Sequence, residues 1–312
     1  MQAALAKAVL NSRLDYADAS GDFRTFGSGT FTATQVLRAS DLHFVSGPAA
    51  ELLPGGDVAH TPGSAVFFQA PLGFTDNPSV AAASELLNST GFFVEFGKDT
   101  SPLPTFLQEL SGSGVPRFRL KQWLQPGESN TIYASTSSTA PEKFYSWFRE
   151  SLPSKPGGPP PTNHLPARIL AEDVLALFVV PSLSPPDEAV LGGPISPDYK
   201  YDSRAWQGRG GLVVSGQLSG RERSEIMRNQ LPPFVKVAAL VLERREANRL
   251  RELHGDTLPP EVAIPSDLFQ DSTKFDEELG EYERRLLSLS PPIRPRIFRA
   301  NIPIQAAQWS NP

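Results

Sequence analysis

The sequence predicts an α+β fold in which a mostly antiparallel sheet carries helical and loop insertions. Short apolar or alternating segments, which are typical of strands, recur along the chain between turn-forming residues. The 31 prolines are about twice the usual share of ~5%, and they lie mostly between the apolar runs. The last third of the chain adds a strand and two helical segments.

Composition excludes several classes of protein. The 312 residues are enough to bury a sizeable core. A net charge of −5 argues against nucleic-acid binding, which needs clustered Lys and Arg. The absence of cysteine excludes disulfides, thiolate metal sites and cysteine nucleophiles. No stretch approaches the ~20 apolar residues of a membrane span, and the N-terminus lacks the features of a secretory signal. We therefore expect a chain that is soluble as given.

The N-terminal segment, residues 2–14, predicts a helix. It is rich in alanine, and it places Leu5 and Val9 one turn apart, and Leu10 and Leu14 likewise. Because no Ser, Thr or Asp cap precedes it, we interpret this segment as the end of a longer helix.

Two apolar segments predict central strands covered on both faces, residues 64–70 and 91–96. The first lies within GSAVFFQAPLGF, and we expect it to be a core strand that buries Phe67 or Phe68 against a helix. Between the two strands, residues 78–91 predict a helix.

The segment VPRFRLKQWL, residues 115–124, predicts a strand with one solvated face, because apolar and basic side chains alternate. The apolar side carries Phe118 and Leu120, and the basic side carries Arg117, Arg119 and Lys121. A short aromatic helix is predicted next, over residues 141–150.

The C-terminal third predicts a strand over residues 231–243 and a charged helix over 244–254. A second helix is predicted with Ser272 as its cap. One face of this helix carries four apolar residues, Phe275, Leu279, Tyr282 and Leu286. The last segment alternates from Phe298 onwards and contains a proline, which predicts an edge strand or a bulge.

The domain organisation follows from these elements. We expect residues 1–20 to form the end of the N-terminal helix and residues 21–312 to form a single globular domain. This domain carries a Pro-rich loop at 151–166 and a loop-rich insertion at 184–211. The insertion contains three aromatic residues that we interpret as a candidate contact surface, Tyr199, Tyr201 and Trp206.

The residues that carry chemistry form no recognisable catalytic motif. The sequence contains no nucleophile elbow, phosphate-binding loop or His-Glu-x-x-His motif. Its histidines are scattered, at His43, His60, His164 and His254. Acidic clusters after Asp267 and around Asp198 lack the spacing of a calcium loop, and helix caps explain the first cluster at least as well. We therefore expect no catalysis and no cofactor, with calcium as the minority alternative.

Several segments, taken together and in order, resemble the Verru_Chthon cassette protein C family. Members of this family are prepilin-like and are related in plan to the J-type minor pseudopilins of type II secretion. The matching segments are AVLNSRLDY (8–16), ASDLHFVSGPAAELL (39–53), GSAVFFQAPLGF (63–74), LPPFVKVAALVLERREANRL (231–250) and FRANIPIQAAQWS (298–310).

The resemblance implies a type IV pilin-like fold and a structural, non-catalytic subunit of a secretion or pilus-like envelope assembly. Its partners would be other pseudopilin-like subunits of the same cassette, at the periplasmic side of the inner membrane. On this view the helical residues Leu5, Val9, Leu10 and Leu14 are the candidate subunit contact. Membrane attachment would need an anchor helix that is absent from this chain, as are the family's basic leader and cleavage site. The stretch LERREANRL is also richer in arginine than is usual for the family.

Two other functions remain open. The chain is an exported binding module for polysaccharide or a secreted substrate if the 184–211 loops carry a binding surface. It is a hydrolase only if folding gathers a histidine, a carboxylate and a hydroxyl within hydrogen-bond reach in a cleft.

Overall fold

The structure, a computed structural model, describes residues 1–24, 29–80, 84–98, 116–133, 144–155, 167–204, 212–214 and 216–309. The described helices are α1 (Gln2–Ala6), α2 (Ala49–Leu52), α3 (Ser146–Arg149), α4 (Pro185–Leu191), α5 (Arg223–Met227), α6 (Arg244–His254) and α7 (Phe275–Leu287). The described strands are β1 (Arg13–Ala17), β2 (Gln35–Ala39), β3 (Val45–Pro48), β4 (Ser64–Pro71), β5 (Leu87–Gly97), β6 (Arg117–Gln125), β7 (Arg168–Glu172), β8 (Val174–Ser182), β9 (Tyr201–Asp202), β10 (Gln217–Leu218), β11 (Arg221–Glu222), β12 (Phe234–Val241) and β13 (Arg296–Pro303).

The strands form two main sheets, and all their ladders are antiparallel. Six strands lie in the order β7-β6-β5-β4-β3-β9, and three in the order β13-β12-β8. Two further ribbons are made by β1 with β2 and by β10 with β11. The predicted α+β class with a mostly antiparallel sheet is therefore confirmed.

Strand β8 joins the two sheets into one core. Its residues from Val174 to Pro181 are all buried, because β8 packs against β3, β4, β5 and β6 of the larger sheet. The chain crosses from one sheet to the other at Asp173, whose φ is +62°. The Asp173 amide donates to the carbonyl of Phe118 at 2.7 Å, and its own carbonyl accepts from Leu242 at 2.8 Å. One residue thus bonds to the backbone of both layers.

The segment GSAVFFQAPLGF is a core strand, as predicted. All residues of β4 except the last are buried. The ring of Phe67 stacks on Phe148 of α3, with centroids 3.9 Å apart and planes 12° apart. Gly91 of β5 lies directly opposite Phe67 in the ladder, and a Cβ there would come within 2.1 Å of the Phe67 ring. The glycine makes room for this stack.

The predicted N-terminal helix over residues 2–14 is wrong in its extent. Helix α1 ends at Ala6, and residues 13–17 form a strand. The Val9 amide donates to the carbonyl of Gln69 at 2.9 Å, so the chain enters sheet-type bonding before it can continue the helix. The short helix also leaves the type IV pilin-like arrangement as a proposal.

The predicted helix over 78–91 is also wrong. Only Pro78–Val80 form a 3-10 turn, residues 81–83 lie outside the described chain, and strand β5 begins at Leu87. Strand β5 pairs with β4 on one side and β6 on the other. These two ladders, with buried side-chain bonds such as Thr90 Oγ1 to the Trp123 carbonyl at 2.8 Å, outweigh the local helix propensity.

Strand β6 lies where it was predicted, but its basic side is not a solvated face. Arg119 is only 4% exposed, and its guanidinium donates to the carbonyl of Gly97. The Lys121 ammonium lies 3.3 Å from the Glu95 carboxylate on β5. These cations can be buried because each has a partner on the neighbouring strand β5.

The C-terminal predictions are largely confirmed. Strand β12 and helices α6 and α7 are present, β13 is an edge strand, and the four predicted residues of α7 are its buried ones. Ser272 is not the cap, because a 3-10 turn over Ser272–Lys274 precedes α7 and is capped by Asp271. The described part of the 184–211 insertion, residues 184–204, contains α4 and β9, so it has more regular secondary structure than the predicted loop.

No helix in the described part of the chain is long and apolar enough to cross a bilayer.

The close approach at Gly91 leads to a test with a matched control. Gly91→Ala should lower the free energy of unfolding by about 1–3 kcal/mol, because the new methyl group displaces the Phe67 ring from its stack. Gly280→Ala should raise it by about 0.5–1 kcal/mol, because Gly280 lies within α7 and a Cβ there meets no atom within 4 Å. Urea denaturation of both variants checks this. Equal effects of the two substitutions would contradict the packing described.

Candidate functional site

Most residues of the predicted N-terminal subunit contact pack against the core of this chain instead. Leu5 is fully buried, since α1 packs against β13, and Val9 and Leu10 are partly buried against the core. The Gln305 amide donates to the carbonyl of Ala6 at 3.0 Å and holds α1 in place. Leu5 is therefore not available to a partner, whereas Leu14, on strand β1, is 72% exposed.

The predicted aromatic loop surface is wrong for the two residues that can be assessed. Tyr199 is 4% exposed and Tyr201 is fully buried. The Tyr201 side chain donates to the carbonyl of Gln230 at 3.1 Å, and its ring packs edge-on against Phe44. Because β9 pairs with β3, Tyr201 belongs to the sheet and not to a loop. Trp206 lies outside the described residues.

A buried polar cluster, which we call the His43 network, brings together a histidine, a carboxylate, a hydroxyl and an indole from separate parts of the sequence. His43 precedes β3, Asp202 ends β9, and Tyr145 and Trp147 lie at the start of α3. The His43 Nε2 lies 2.7 Å from Asp202 Oδ1, the Tyr145 hydroxyl donates to Asp202 Oδ2 at 2.5 Å, and the Trp147 indole donates to His43 Nδ1 at 3.2 Å. His43 and Asp202 are 159 residues apart, so no local sequence motif indicates that they form a pair.

The hydrogen bonds of the His43 network define its protonation. An indole nitrogen can only donate, so His43 Nδ1 accepts, and Nε2 carries the proton that it donates to Asp202. Burial lowers the pKa of His43 and outweighs the opposite effect of Asp202. Burial acts to raise the pKa of Asp202, but the bonds donated by His43, Tyr145 and the Arg204 amide hold it below its usual value. The pair is thus a neutral imidazole beside a carboxylate.

Arg204 supplies the charge that balances Asp202. Its guanidinium donates to the carbonyl of Asp41, and its amide donates to Asp202 Oδ1 at 2.8 Å. Burial lowers the pKa of Arg204 to about 10, against the opposing effect of Asp202, and the side chain is still protonated at neutral pH. The buried carboxylate therefore has a buried cation near it.

The His43 network is not placed to act on a substrate. His43 and Asp202 are fully buried, and Tyr145 is nearly so. A general acid or base must come within hydrogen-bond reach of a reacting group. In this cluster each polar atom already bonds to another protein group. The arrangement ties three elements together, and we assign it a structural role.

The other histidines form separate pairs. His60 lies 2.9 Å from Asp57 and His254 lies 2.9 Å from Glu261, while His164 lies outside the described residues. Among the described residues, no three His, Asp or Glu side chains are grouped so that they could hold a metal ion. The expectation of no cofactor, with calcium as the minority alternative, stays a prediction.

The β1–β2 ribbon presents an apolar surface, which we call the ribbon face: Leu14, Tyr16 and Val36. Tyr16 lies directly opposite Val36 in the ladder, and Leu14 is two residues before Tyr16, so the three side chains share one side. They are 72%, 53% and 55% exposed. The guanidinium of Arg24 lies 5.8 Å from the Tyr16 ring and 3.3 Å from Asp15, so the ribbon face has a charged border.

Comparisons of the chain with protein-family models, with curated proteins and with solved structures found no match.

The His43 network predicts a specific loss of stability in acid. A histidine whose pKa is lowered in the folded state binds fewer protons than in the unfolded chain, so its contribution is complete above pH 6.5 and falls as the pH drops below that value. Asp202 adds a loss of the same sign below its unfolded pKa of 3.8. The His43 contribution to the slope is at most about 1.4 kcal/mol per pH unit.

Urea denaturation between pH 8 and pH 5 checks this, with His43→Gln to remove the titration and His60→Gln as the control at an exposed histidine. The wild type and the control should lose stability from pH 7 to pH 5, and the slope of His43→Gln should be shallower. A wild-type stability that stays constant or rises over this range would contradict the assignment, whether or not His43→Gln folds.

Proposed function

We propose that this chain is a non-catalytic structural subunit of a pilin-like envelope assembly, similar to a minor pseudopilin, and that it contacts a neighbouring subunit through the ribbon face. The observation that carries the proposal is the exposure of Leu14, Tyr16 and Val36 on one side of a two-stranded ribbon. Single exposed apolar residues are ordinary, but adjacent large ones on one surface mark interaction sites.

The position of the ribbon in the chain supports this proposal. The ribbon follows α1 after a few residues, and α1 packs on the three-stranded sheet. A helix that packs on an antiparallel sheet near the N-terminus is the arrangement that the resemblance implies. Subunit contact close to this helix agrees with the expectation that the N-terminal segment docks onto other subunits, although the exposed residue is Leu14 and not Leu5.

The chemistry of the core supports a non-catalytic role. The His43 network contains a histidine, a carboxylate and a hydroxyl in contact, which is the set that a hydrolase would need. All three are withdrawn from solvent. A binding module is the second candidate function, and a largely apolar cleft beside the end of β3 favours it.

Site-specific photo-crosslinking in cells that carry the cassette tests the proposal. A photoreactive phenylalanine at Tyr16 should form crosslinks to a protein with a prepilin-type N-terminus, identified by mass spectrometry. The control position is Val190 of α4, which is 70% exposed but stands outside the ribbon face, and it should form no such crosslink.

A second measurement separates contact from folding. Tyr16→Ser with Val36→Ser should reduce recovery of the crosslinked partner in pull-downs at least tenfold, with the urea midpoint nearly unchanged because both side chains are exposed. Equal crosslinking at positions 16 and 190, or crosslinks only to proteins without a prepilin-type N-terminus, would refute the proposal.

A further inference from the structure

A cleft of about 450 Å³ opens beside the end of β3, where the start of β4, strand β8, residues 198–200 and residues 264–270 meet. Its volume lies within the range of small-ligand sites, about 300–1,000 Å³. Its apolar surface includes Phe178, Phe269, Ile264 and Val58. Val58 is exposed at the margin, Phe269 and Ile264 are partly buried, and Phe178 is buried, so the apolar lining continues from the margin to the base of the cleft.

Two aromatic residues of this cleft have unusual backbone conformations. Tyr199 has a φ of +62° and Phe269 a φ of +59°. Positive φ is unfavourable for a bulky side chain, and such strain is often found at ligand sites. Phe269 stacks on Phe178 with centroids 4.1 Å apart, and Tyr199 packs edge-on to Phe269 at 6.5 Å. The two residues with positive φ therefore belong to one aromatic cluster with Phe178 beside the cleft.

The polar side of the cleft carries a carboxylate without a matching cation. The Lys200 ammonium lies 2.8 Å from the Glu51 carboxylate and forms its ion pair there. Asp198 accepts a long hydrogen bond of 3.4 Å from the Lys200 amide, and among the described residues no Lys, Arg or His forms an ion pair with it. Burial raises the pKa of Asp198 despite this hydrogen bond and the charges of Lys200 and Arg223. Among the lining residues two carboxylates, Glu51 and Asp198, face one ammonium, and Arg223, which does not line the cleft, acts on Asp198 more weakly than Lys200 does.

We propose that the cleft binds a ligand with an apolar body and a protonated amine or guanidinium, the body lying against Phe269, Ile264 and Val58 and the cation pairing with Asp198. Such a cation belongs either to a free amphipathic amine or to a Lys or Arg side chain beside an apolar residue of a peptide. Anionic ligands are disfavoured, because Glu51 already neutralises Lys200. The inference does not depend on the ribbon face.

Calorimetric titration of the full chain with matched probes tests this proposal. The free-amine arm compares phenethylamine with 2-phenylethanol, and the peptide arm compares acetyl-Phe-Arg-amide with acetyl-Phe-Gln-amide. In at least one arm the cationic probe should bind at least tenfold more tightly than its neutral partner. The arm that shows this difference identifies the source of the cation.

Substitutions then locate the site. Asp198→Asn should reduce affinity for the cationic probe at least tenfold and leave the neutral probe unchanged, whereas Asp76→Asn, at an exposed carboxylate that does not line the cleft, should change neither. The comparison of charged and neutral probes on the wild type stands even if Asp198→Asn fails to fold. Equal affinity within both pairs, no binding at millimolar concentration, or equal binding to wild type and a folded Asp198→Asn would overturn the proposal.

Discussion

The hydrogen bond between His43 and Asp202 is the contact on which much of the remaining structure depends. Transfer of a carboxylate from water to the protein interior costs on the order of several kcal/mol, and the cost is offset only where donors and a counter-charge surround it. His43, Tyr145 and the Arg204 amide donate to Asp202, and the Arg204 guanidinium supplies positive charge. Since the donors come from separate parts of the chain, the network forms only when β3, β9 and α3 are all in place.

The position of the cleft and the packing of α3 are both tied to this contact. Strand β9 is short, and its position beside β3 places Tyr199 and Lys200, which come just before it, at the cleft. Helix α3 is held by the same network and presents Phe148 to Phe67 on β4. The proton-transfer groups of the His43 network are therefore inside the core, whereas the ribbon face and the cleft are mainly apolar.

The sequence predicted those elements whose pattern agrees with their final environment. The spacing of Phe275, Leu279, Tyr282 and Leu286 identified the buried side of α7, and the apolar run of β4 identified a central strand. The sequence-based predictions were wrong where strand pairing between distant residues overrides a local preference for helix. Residues 78–91 were predicted as a helix, but β5, which begins at Leu87, has partners on both sides, and residues 9–14 form a bridge and part of a ribbon. The burial of Tyr201 and the His43 network depend on contacts across more than 100 residues, which periodicity does not report.

The most direct test of this account is the protonation state of His43 in the folded protein. With ¹⁵N-labelled histidine, the ring nitrogen shifts and the exchange of the ring proton are measured from pH 8 to pH 5. We predict a ring with its proton on Nε2 and a pKa below its usual value, and an exchange rate as slow as that of the core amides. A ring that titrates near pH 6.5 and exchanges freely with water would contradict it, and would make His43 an accessible acid–base group.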